Sequence, residues 1–540
     1  MKDISSTGSF INFYLNNYIY VDKTQYIRDL IKLERVFISR PRRFGKSLTL
    51  DTIATLFETG VEPYFEGTWI YDKWTEPTYP VLRLNFLDLD KYSLEHFKQK
   101  LNAIISSFAR DINVKNYEEK VEPEDTIYFL LDELRKEKRQ IVILIDEYDC
   151  QMTANINNET LYKQFQEKIK SFYATIKNKR PIKFLGITGV TRLKDVEIFS
   201  IGSDINDITN ESAFSQLIGF TRDEIKKYYI DYLKLAASYE NKCRVEEVTD
   251  AQIESMLDMM AQNYDGYCFD EDYEKKVFNT WSVNKFFQTM VGKKKVQFGE
   301  YWYDNGGLPS ILVNYLKTHE LNIFEYLDKD KFLKVSSDDF KNPTALTTIN
   351  QNVLMCQTGY LTLRSDLNKT STVALGIPNG EIYKALNRLL ANNIFKGNTD
   401  ITDDYGRSLL EVGTVDDIIN LFNSALNSVS YDNYPIVSES SVQNMLKLYL
   451  LGAHQKVLSE VHEAKGRADL VVNTDNRRIV FEFKYAKNET EAKTKLSEAV
   501  EQIKTRDYGN ILPKKAELIR IAAVFNADPK VRAFTEFQLV

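Results

Sequence analysis

Through the first two hundred residues, short continuous apolar runs alternate with stretches whose apolar residues recur at helical spacing. Val36-Phe37-Ile38 reads as a buried strand, and Leu48 to Phe57 (LTLDTIATLF) reads as a helix. Val81 to Asp90 alternates apolar and polar residues and predicts a strand, with a helix over Tyr92 to Phe108. Lys138 to Asp149 (KRQIVILIDEYD) is a continuous apolar strand ending in two acids. A helix over Thr160 to Lys177 and a strand over Ile182 to Leu193, ending in small polar residues, complete the series. Strands separated by helical segments predict a parallel sheet covered on both faces. Ahead of the first strand, Tyr20 to Leu33 reads as a helix capped by Asp22, with Gln25 completing a capping box.

Beyond the sheet, Phe220 to Leu233 opens a helical region with Thr221 as N-cap and Glu224 at the third helical position. A turn is expected at Asp265-Gly266, and a glycine-rich turn precedes a helix within Glu300 to Leu316. QTGYLTL and STVALGIPNGEIYKAL predict a small hairpin followed by a helix, as in a winged-helix or lid subdomain, with a polar tip over Ser365 to Ser371. The last hundred residues change character. Ser440 to Ala453 is an amphipathic helix, KVLSEVHEA a strand, and Arg467 to Ala486 two strands joined by a tight turn at Asp475-Asn476. Asn488 to Tyr508 is a helix and Leu518 to Phe525 a final strand, so the order is helix, three strands, helix, strand. The chain shows no internal repeat or low-complexity linker.

At 540 residues, two or three domains are expected. No apolar run approaches a membrane span and MKDISSTGSF lacks a signal-peptide core, so no membrane partner and a cytoplasmic location are expected. Cys150, Cys243, Cys268 and Cys356 lie far apart, which points to a reducing compartment and away from a disulfide framework or zinc site. The net charge of −7 restricts any nucleic-acid surface to a local basic patch.

Two stretches carry chemistry. Strand, loop, Gly45-Lys46-Ser47 and helix form the context of a phosphate-binding P-loop, in which main-chain N–H groups and a helix N-terminus surround a triphosphate. Arg43, Phe44, Gly45, Lys46, Ser47 and Leu48 are the expected ATP-binding residues, with Lys46 on the β- and γ-phosphates and the Ser47 hydroxyl on Mg²⁺. Arg40 stands where the first P-loop glycine usually falls, and Pro41 biases it towards an extended backbone, so the loop must turn differently at its start. Asp146 is placed to hold the Mg²⁺ and Glu147 to polarise an attacking water. Thr188 and Arg192, at the end of the following strand, are candidates to read the γ-phosphate.

The second stretch lies in the C-terminal module. Strand alternation puts Glu482 and Lys484 on one face, and Asp469 can face Glu482 across the hairpin. Two carboxylates and the Phe483 carbonyl make an oxygen site suited to Mg²⁺. Lys484 is placed to orient or deprotonate a water and to stabilise an anionic transition state. Gln502 points to the same place, and Arg467, Arg477, Lys487 and Arg506 are available to phosphates.

Together these stretches resemble a family in which an AAA-ATPase-like N-terminal region is fused to a C-terminal PD-(D/E)XK nuclease-like domain. The resemblance rests on YVDKT, RPRRFGKS, ILIDEYD, ITGVTRL, GFTRDEI, YDGY, LPSIL, TGYLT, GRADLVV, FEFK and Gln502-Ile503. RPRRFGKS shares with that family the missing first glycine. The resemblance implies an α/β fold: an AAA-like P-loop ATPase domain over 1–235, a helical, winged-helix-like lid region over 236–430, and an αβββαβ nuclease-like domain over 431–540. It implies ATP at Lys46, Ser47 and Asp146, and a metal at Asp469 and Glu482 with Lys484. An acid on the module's first helix often completes such a site; Glu439, Gln443 and Glu460 are the residues on offer. The expected function is an ATP-dependent or ATP-gated Mg²⁺-dependent nuclease acting on DNA or RNA. The alternative is a nucleotide-switch or scaffold protein whose tail binds nucleic acid or a partner without cleaving. A homo-oligomer is compatible with either.

Overall fold

The computed structural model describes residues 1–177, 181–193, 204–302, 310–316, 319, 323–343, 345–395, 405–453, 455–463, 466–509 and 516–540. The chain forms two compact units, one of residues 1–319 and 332–382, the other of residues 320–331 and 383–540.

The first unit is built on five parallel strands: β1 (Arg35–Ser39), β2 (Val81–Asn85), β3 (Ile141–Asp146), β4 (Ile182–Gly189) and β5 (Asn206–Asp207), in the order β2-β3-β4-β1-β5. Every residue of β1 is buried, as are Ile141 to Ile145 of β3, the pattern of strands covered on both faces. β1 and β3 do not pair; β4 lies between them, and its carboxyl end is where the P-loop and the acidic turn meet. Ligands of open α/β sheets bind at such carboxyl ends.

The forecast helices are present with small shifts. Ser93 caps Leu94–Asp111, Asn158 caps Glu159–Ile176, and Thr221 with Glu224 forms the expected capping box of Arg222–Tyr228. Two expectations are corrected. The helix after Tyr20 begins at Thr24, and Asp22 does not cap it; its carboxylate accepts the Thr24 N–H and hydroxyl and the Trp69 N–H. The strand from Val81 ends at Asn85, whose side chain accepts the Leu87 N–H and turns the chain into the 3₁₀ turn Phe86–Asp88. The forecast hairpin is the β7/β8 pair of a three-stranded antiparallel sheet, β6 (Leu333–Ser336), β7 (Thr362–Leu363) and β8 (Thr372–Gly376), ordered β6-β8-β7, with the helix Gly380–Ile394 following. The glycine-rich turn at 303–309 lies outside the described residues; the helix after it is Ser310–Leu316.

In the second unit the helix Glu439–Gly452 precedes β9 (Lys456–Glu463), β10 (Gly466–Asn473) and β11 (Arg477–Ala486). The helix Glu489–Arg506, β12 (Glu517–Asn526) and β13 (Ala533–Leu539) follow. The sheet order is β13-β12-β11-β10-β9, antiparallel except for the parallel β11/β12 pair. β13 is one strand more than the pattern predicted, an edge strand with few buried residues and hence a weak signal. Ala499 and Ile503 pack on Ala468, Val471, Val480 and Ala522 and fix the second helix against the sheet.

Candidate functional site

The P-loop turns where its backbone permits. Arg43 is left-handed at φ 66°, and Gly45 at φ 107° leads into the helix Lys46–Thr59, a conformation costly to most residues. No side chain caps that helix, so its first-turn N–H groups are left to a ligand. Lys46 is buried, and its Nζ donates to the Arg40 and Pro41 carbonyls at 3.0 and 3.2 Å. The Ser47 hydroxyl donates to Asp146 Oδ2 at 2.6 Å, and the Thr188 hydroxyl donates to Asp146 Oδ1. Glu147, held at φ 53°, brings Oε1 to 3.8 Å from Lys46 Nζ. Burial pushes its carboxyl up from the usual range, with Lys46 opposing and Asp149 and Asp146 adding.

The P-loop and Glu147, though not Asp146 or Thr188, open onto a cavity of ≈ 510 Å³, within the range of small-ligand sites. Arg43, Phe44, Gly45, Lys46, Ser47, Leu48 and Glu147 line it. So do residues the motifs did not reveal: Ser5 to Gly8, Tyr229, Thr280 and Trp281. The Arg43 guanidinium lies 4.0 Å from the Trp281 ring, and the Thr280 hydroxyl donates to the Arg43 carbonyl at 3.1 Å. Arg192 is not brought here. It forms an ion pair with Asp207, and its N–H donates to Gln357 Oε1 at 3.2 Å, on a separate small cavity. The donors and carboxylates suit a nucleotide triphosphate with Mg²⁺: uncapped N–H groups and an ammonium for phosphates, and Ser47 with Asp146 for the cation.

In the second unit the β10/β11 register carries Asp469 alongside β11, where Oδ2 accepts the Phe483 N–H at 2.8 Å. Lys484 Nζ donates to Glu482 Oε1 at 2.8 Å, so both do share a face. Of the first-helix residues, Glu439 reaches the site, its carboxylate 3.3 Å from Lys484 Nζ. Gln443 instead donates its amide to the Asp469 carbonyl. The Glu460 side chain lies outside the described residues. The Phe483 carbonyl accepts Lys484 Nζ at 3.2 Å. Gln502 and Arg506 both donate to the buried Tyr508 hydroxyl, at 3.3 and 2.8 Å. Among the described residues, no three His, Cys, Asp or Glu side chains are gathered to hold a metal ion between them.

The electrostatics record the crowding. Burial, then the neighbouring Asp469 charge, pushes the Glu482 carboxyl up to about 7 despite Lys484. Burial also raises Asp469, opposed by the Phe483 N–H and Lys484. Burial alone would lower Lys484; its bond to Glu482 and the charges of Glu439 and Asp469 outweigh that and raise it. Glu482 Oε2 is buried without a protein partner. A carboxylate oxygen in that state, beside the half-buried Asp469 carboxylate, fits a divalent cation.

Residues 5–199 match a family model described as predicted AAA-ATPase, and residues 437–535 match one described as the PD-(D/E)XK nuclease superfamily. An uncharacterized protein in the vnfD 5′ region of Azotobacter chroococcum mcd 1 is 26% identical over 532 residues, covering 95% of this chain and 94% of its own. Among solved structures, Cdc6p from Pyrobaculum aerophilum aligns at 12% identity over 72% of this chain and 99% of that one, with a TM-score of 0.24. The Aeropyrum pernix ORC1 protein in complex with DNA aligns at 11% identity over 69% and 95%, with a TM-score of 0.25. At such scores the fold assignment rests on the strand order and register alone. The two family matches identify an AAA-ATPase-like domain over residues 5–199 and a domain of the PD-(D/E)XK nuclease superfamily over residues 437–535.

Proposed function

We propose that this protein is an ATP-dependent or ATP-gated nuclease that cleaves DNA or RNA with Mg²⁺. The observation that carries the reading is the grouping of Asp469, Glu482 and Lys484 on one sheet face with Glu439 at its rim. In the first unit, Lys46 and the uncapped N–H groups bind the triphosphate. Glu147, whose carboxyl is raised by burial beside Lys46, takes the proton of the attacking water. Asp146, oriented by Ser47 and Thr188, would hold the Mg²⁺ with the Ser47 hydroxyl.

In the second unit, Asp469 and Glu482 would hold the divalent ion. Bound there, the ion supplies Lewis-acid polarisation of a phosphodiester oxygen and of water. Lys484 stays protonated, so it orients the water and steadies negative charge at the phosphate; its raised pKa argues against a role as base. Arg506, anchored on Tyr508, meets the phosphate backbone from the helix side. No helix among the described residues is long and apolar enough to cross a membrane, and we place the activity in the cytoplasm, where ATP and Mg²⁺ are supplied.

A second reading is favoured by one observation: Lys484 occupies the Phe483 carbonyl that a metal would need. On it, the tail binds nucleic acid without cleaving. Incubation of the full chain with labelled DNA and RNA, with and without ATP and Mg²⁺ or Mn²⁺, separates the two. Metal-dependent cleavage that responds to ATP supports the first. Retained strands under every condition overturn it.

A further inference from the structure

Two arginines, Arg42 and Arg43, stand immediately before Phe44-Gly45-Lys46-Ser47, and both line the nucleotide cavity. Their main chain is fixed by residues far along the sequence. The Trp302 indole N–H donates to the Arg42 carbonyl at 3.2 Å, and the Thr280 hydroxyl donates to the Arg43 carbonyl at 3.1 Å. Their side chains differ. The Arg43 guanidinium is committed to the Trp281 ring at 4.0 Å. Arg42 is half-buried, and among the described residues no group makes an ion pair or hydrogen bond with its guanidinium. Its charge opposes the rise of both the Glu147 carboxyl and the Cys150 thiol, so the head group lies towards the acidic turn.

Of the charged residues lining the cavity, Lys23, Arg42, Arg43 and Lys46 are cations and Glu147 is an acid. Lys23 is paired with Glu224 at 2.7 Å, and Lys46 lies 3.8 Å from Glu147. Arg42 thus brings five N–H donors to the end of the cavity where Glu147 faces the attacking water. A planar guanidinium suits the oxygens of a transferring phosphoryl group, over which charge is spread in the transition state. Arg192, which chain order offers for the γ-phosphate, is held with Asp207 on the separate small cavity. We propose that Arg42 is a catalytic residue for ATP hydrolysis, supplying from its own chain the guanidinium that meets the γ-phosphate in the transition state.

This role rests on the reading of the cavity as an ATP site and does not depend on the nuclease domain. In the step itself, the water oxygen bonds to the γ-phosphorus and the bond to the β,γ-bridging oxygen breaks. Glu147 takes the water proton, and ADP and inorganic phosphate leave. Arg42 makes and breaks no covalent bond; it donates N–H groups to the γ-oxygens as their charge develops. Other P-loop enzymes take such an arginine from a second molecule or from elsewhere in their own chain. Here it is part of the loop that also carries Lys46, so one chain holds every residue the step needs.

The test uses the full chain with Mg²⁺. Arg42→Ala should bind ADP as the unaltered chain does, while kcat for ATP falls on the order of 10³-fold or more, the worth of such an arginine elsewhere. Arg42→Lys should recover only a small part of the loss, because an ammonium lacks the planar fork. ADP with aluminium fluoride, a mimic of the transferring phosphoryl group, should bind the unaltered chain much more tightly than ADP alone. Arg42→Ala should lose that gain and keep its melting temperature, which a merely structural role would not produce. If Arg42→Ala fails to fold, Arg42→Lys carries the same measurements. Mixing Arg42→Ala with Lys46→Ala chains should restore no hydrolysis. A normal kcat in Arg42→Ala overturns the proposal and leaves the ATP site standing, and hydrolysis restored in the mixture overturns the placement of Arg42 on its own chain's nucleotide. Failure of the unaltered chain to bind or hydrolyse ATP overturns the ATP reading, and this role with it.

Discussion

The two chemical sites handle buried charge in opposite ways. At the P-loop, every hydrogen bond of Lys46 and Asp146 is made with a dipole, with Glu147 at 3.8 Å from Lys46 as the facing charge: Lys46 rests on two carbonyls, and Asp146 accepts two hydroxyls and a main-chain N–H. In the C-terminal unit, carboxylates press on one another, and one buried oxygen, Glu482 Oε2, goes unpartnered. A site that waits for a polyanion can be completed by its own backbone, because helix N–H groups need no counter-charge of their own. A site that waits for a cation must gather like charges and bear their repulsion until the cation comes. The difference predicts which substitutions cost binding and which leave stability intact.

The largest effect is expected at Lys46. Lys46→Ala removes the cation that meets the phosphates and leaves the Arg40 and Pro41 carbonyls without their donor. ATP affinity measured by calorimetry should fall by on the order of 10³-fold or more, the scale of a lost buried charge–phosphate contact. Unchanged affinity would end the P-loop assignment. In the other unit, Asp469→Asn keeps an oxygen for the Phe483 N–H and removes one of the two repelling charges. Metal-dependent cleavage should disappear, while ATP hydrolysis continues and the melting temperature holds or rises. A fall of several degrees in melting temperature would make Asp469 a structural anchor.

The same comparison explains what the sequence revealed. The P-loop sheet was legible because its parts are contiguous: an apolar run, Gly45-Lys46-Ser47, an amphipathic helix, and a second apolar run ending at Asp146-Glu147. Glu482 and Lys484 were legible because strand alternation alone places them together. What sequence spacing could not supply was the third dimension. Arg40 read only as the residue that stands in place of the first P-loop glycine, and its burial under Phe269 and Thr209 makes it an anchor. Arg192 had the right place in the chain, but the pairing of β5 beside β1 puts Asp207 within its reach and keeps it from the nucleotide cavity. Trp281 enters that cavity from far along the chain and carries no motif. Asp22 failed as a cap because the helix begins at Thr24, which puts Lys23 in the N-cap position and leaves Asp22 one residue outside it.

A smaller effect is expected where the residue shapes a reaction and leaves binding alone. Glu147→Gln keeps the volume and abolishes the base. ATP should bind as before, and turnover should slow on the order of 10²-fold, the usual contribution of general-base catalysis. Hydrolysis at the normal rate would leave Glu147 as a strand-end acid and nothing more.

Glu439 gives the finest test, because it stands between the two kinds of charge handling. Its carboxylate is 42% exposed and touches Lys484 at 3.3 Å, and its charge bears on both Asp469 and Glu482. As a plain half-exposed ion pair it should contribute only about 0–1 kcal/mol to stability. As the rim of a cation site it has a second role: it draws Lys484 outward and adds negative potential for the incoming metal. Glu439→Gln removes the charge and keeps the helix start. The Mg²⁺ concentration for half-maximal cleavage should then rise about 10-fold, equivalent to roughly 1.4 kcal/mol of lost attraction. The rate at saturating Mg²⁺ and the melting temperature should change little. A Mg²⁺ titration and a melting curve on one preparation read both roles at once. If the titration is unmoved, Glu439 only tethers Lys484, and the cation site is confined to Asp469 and Glu482.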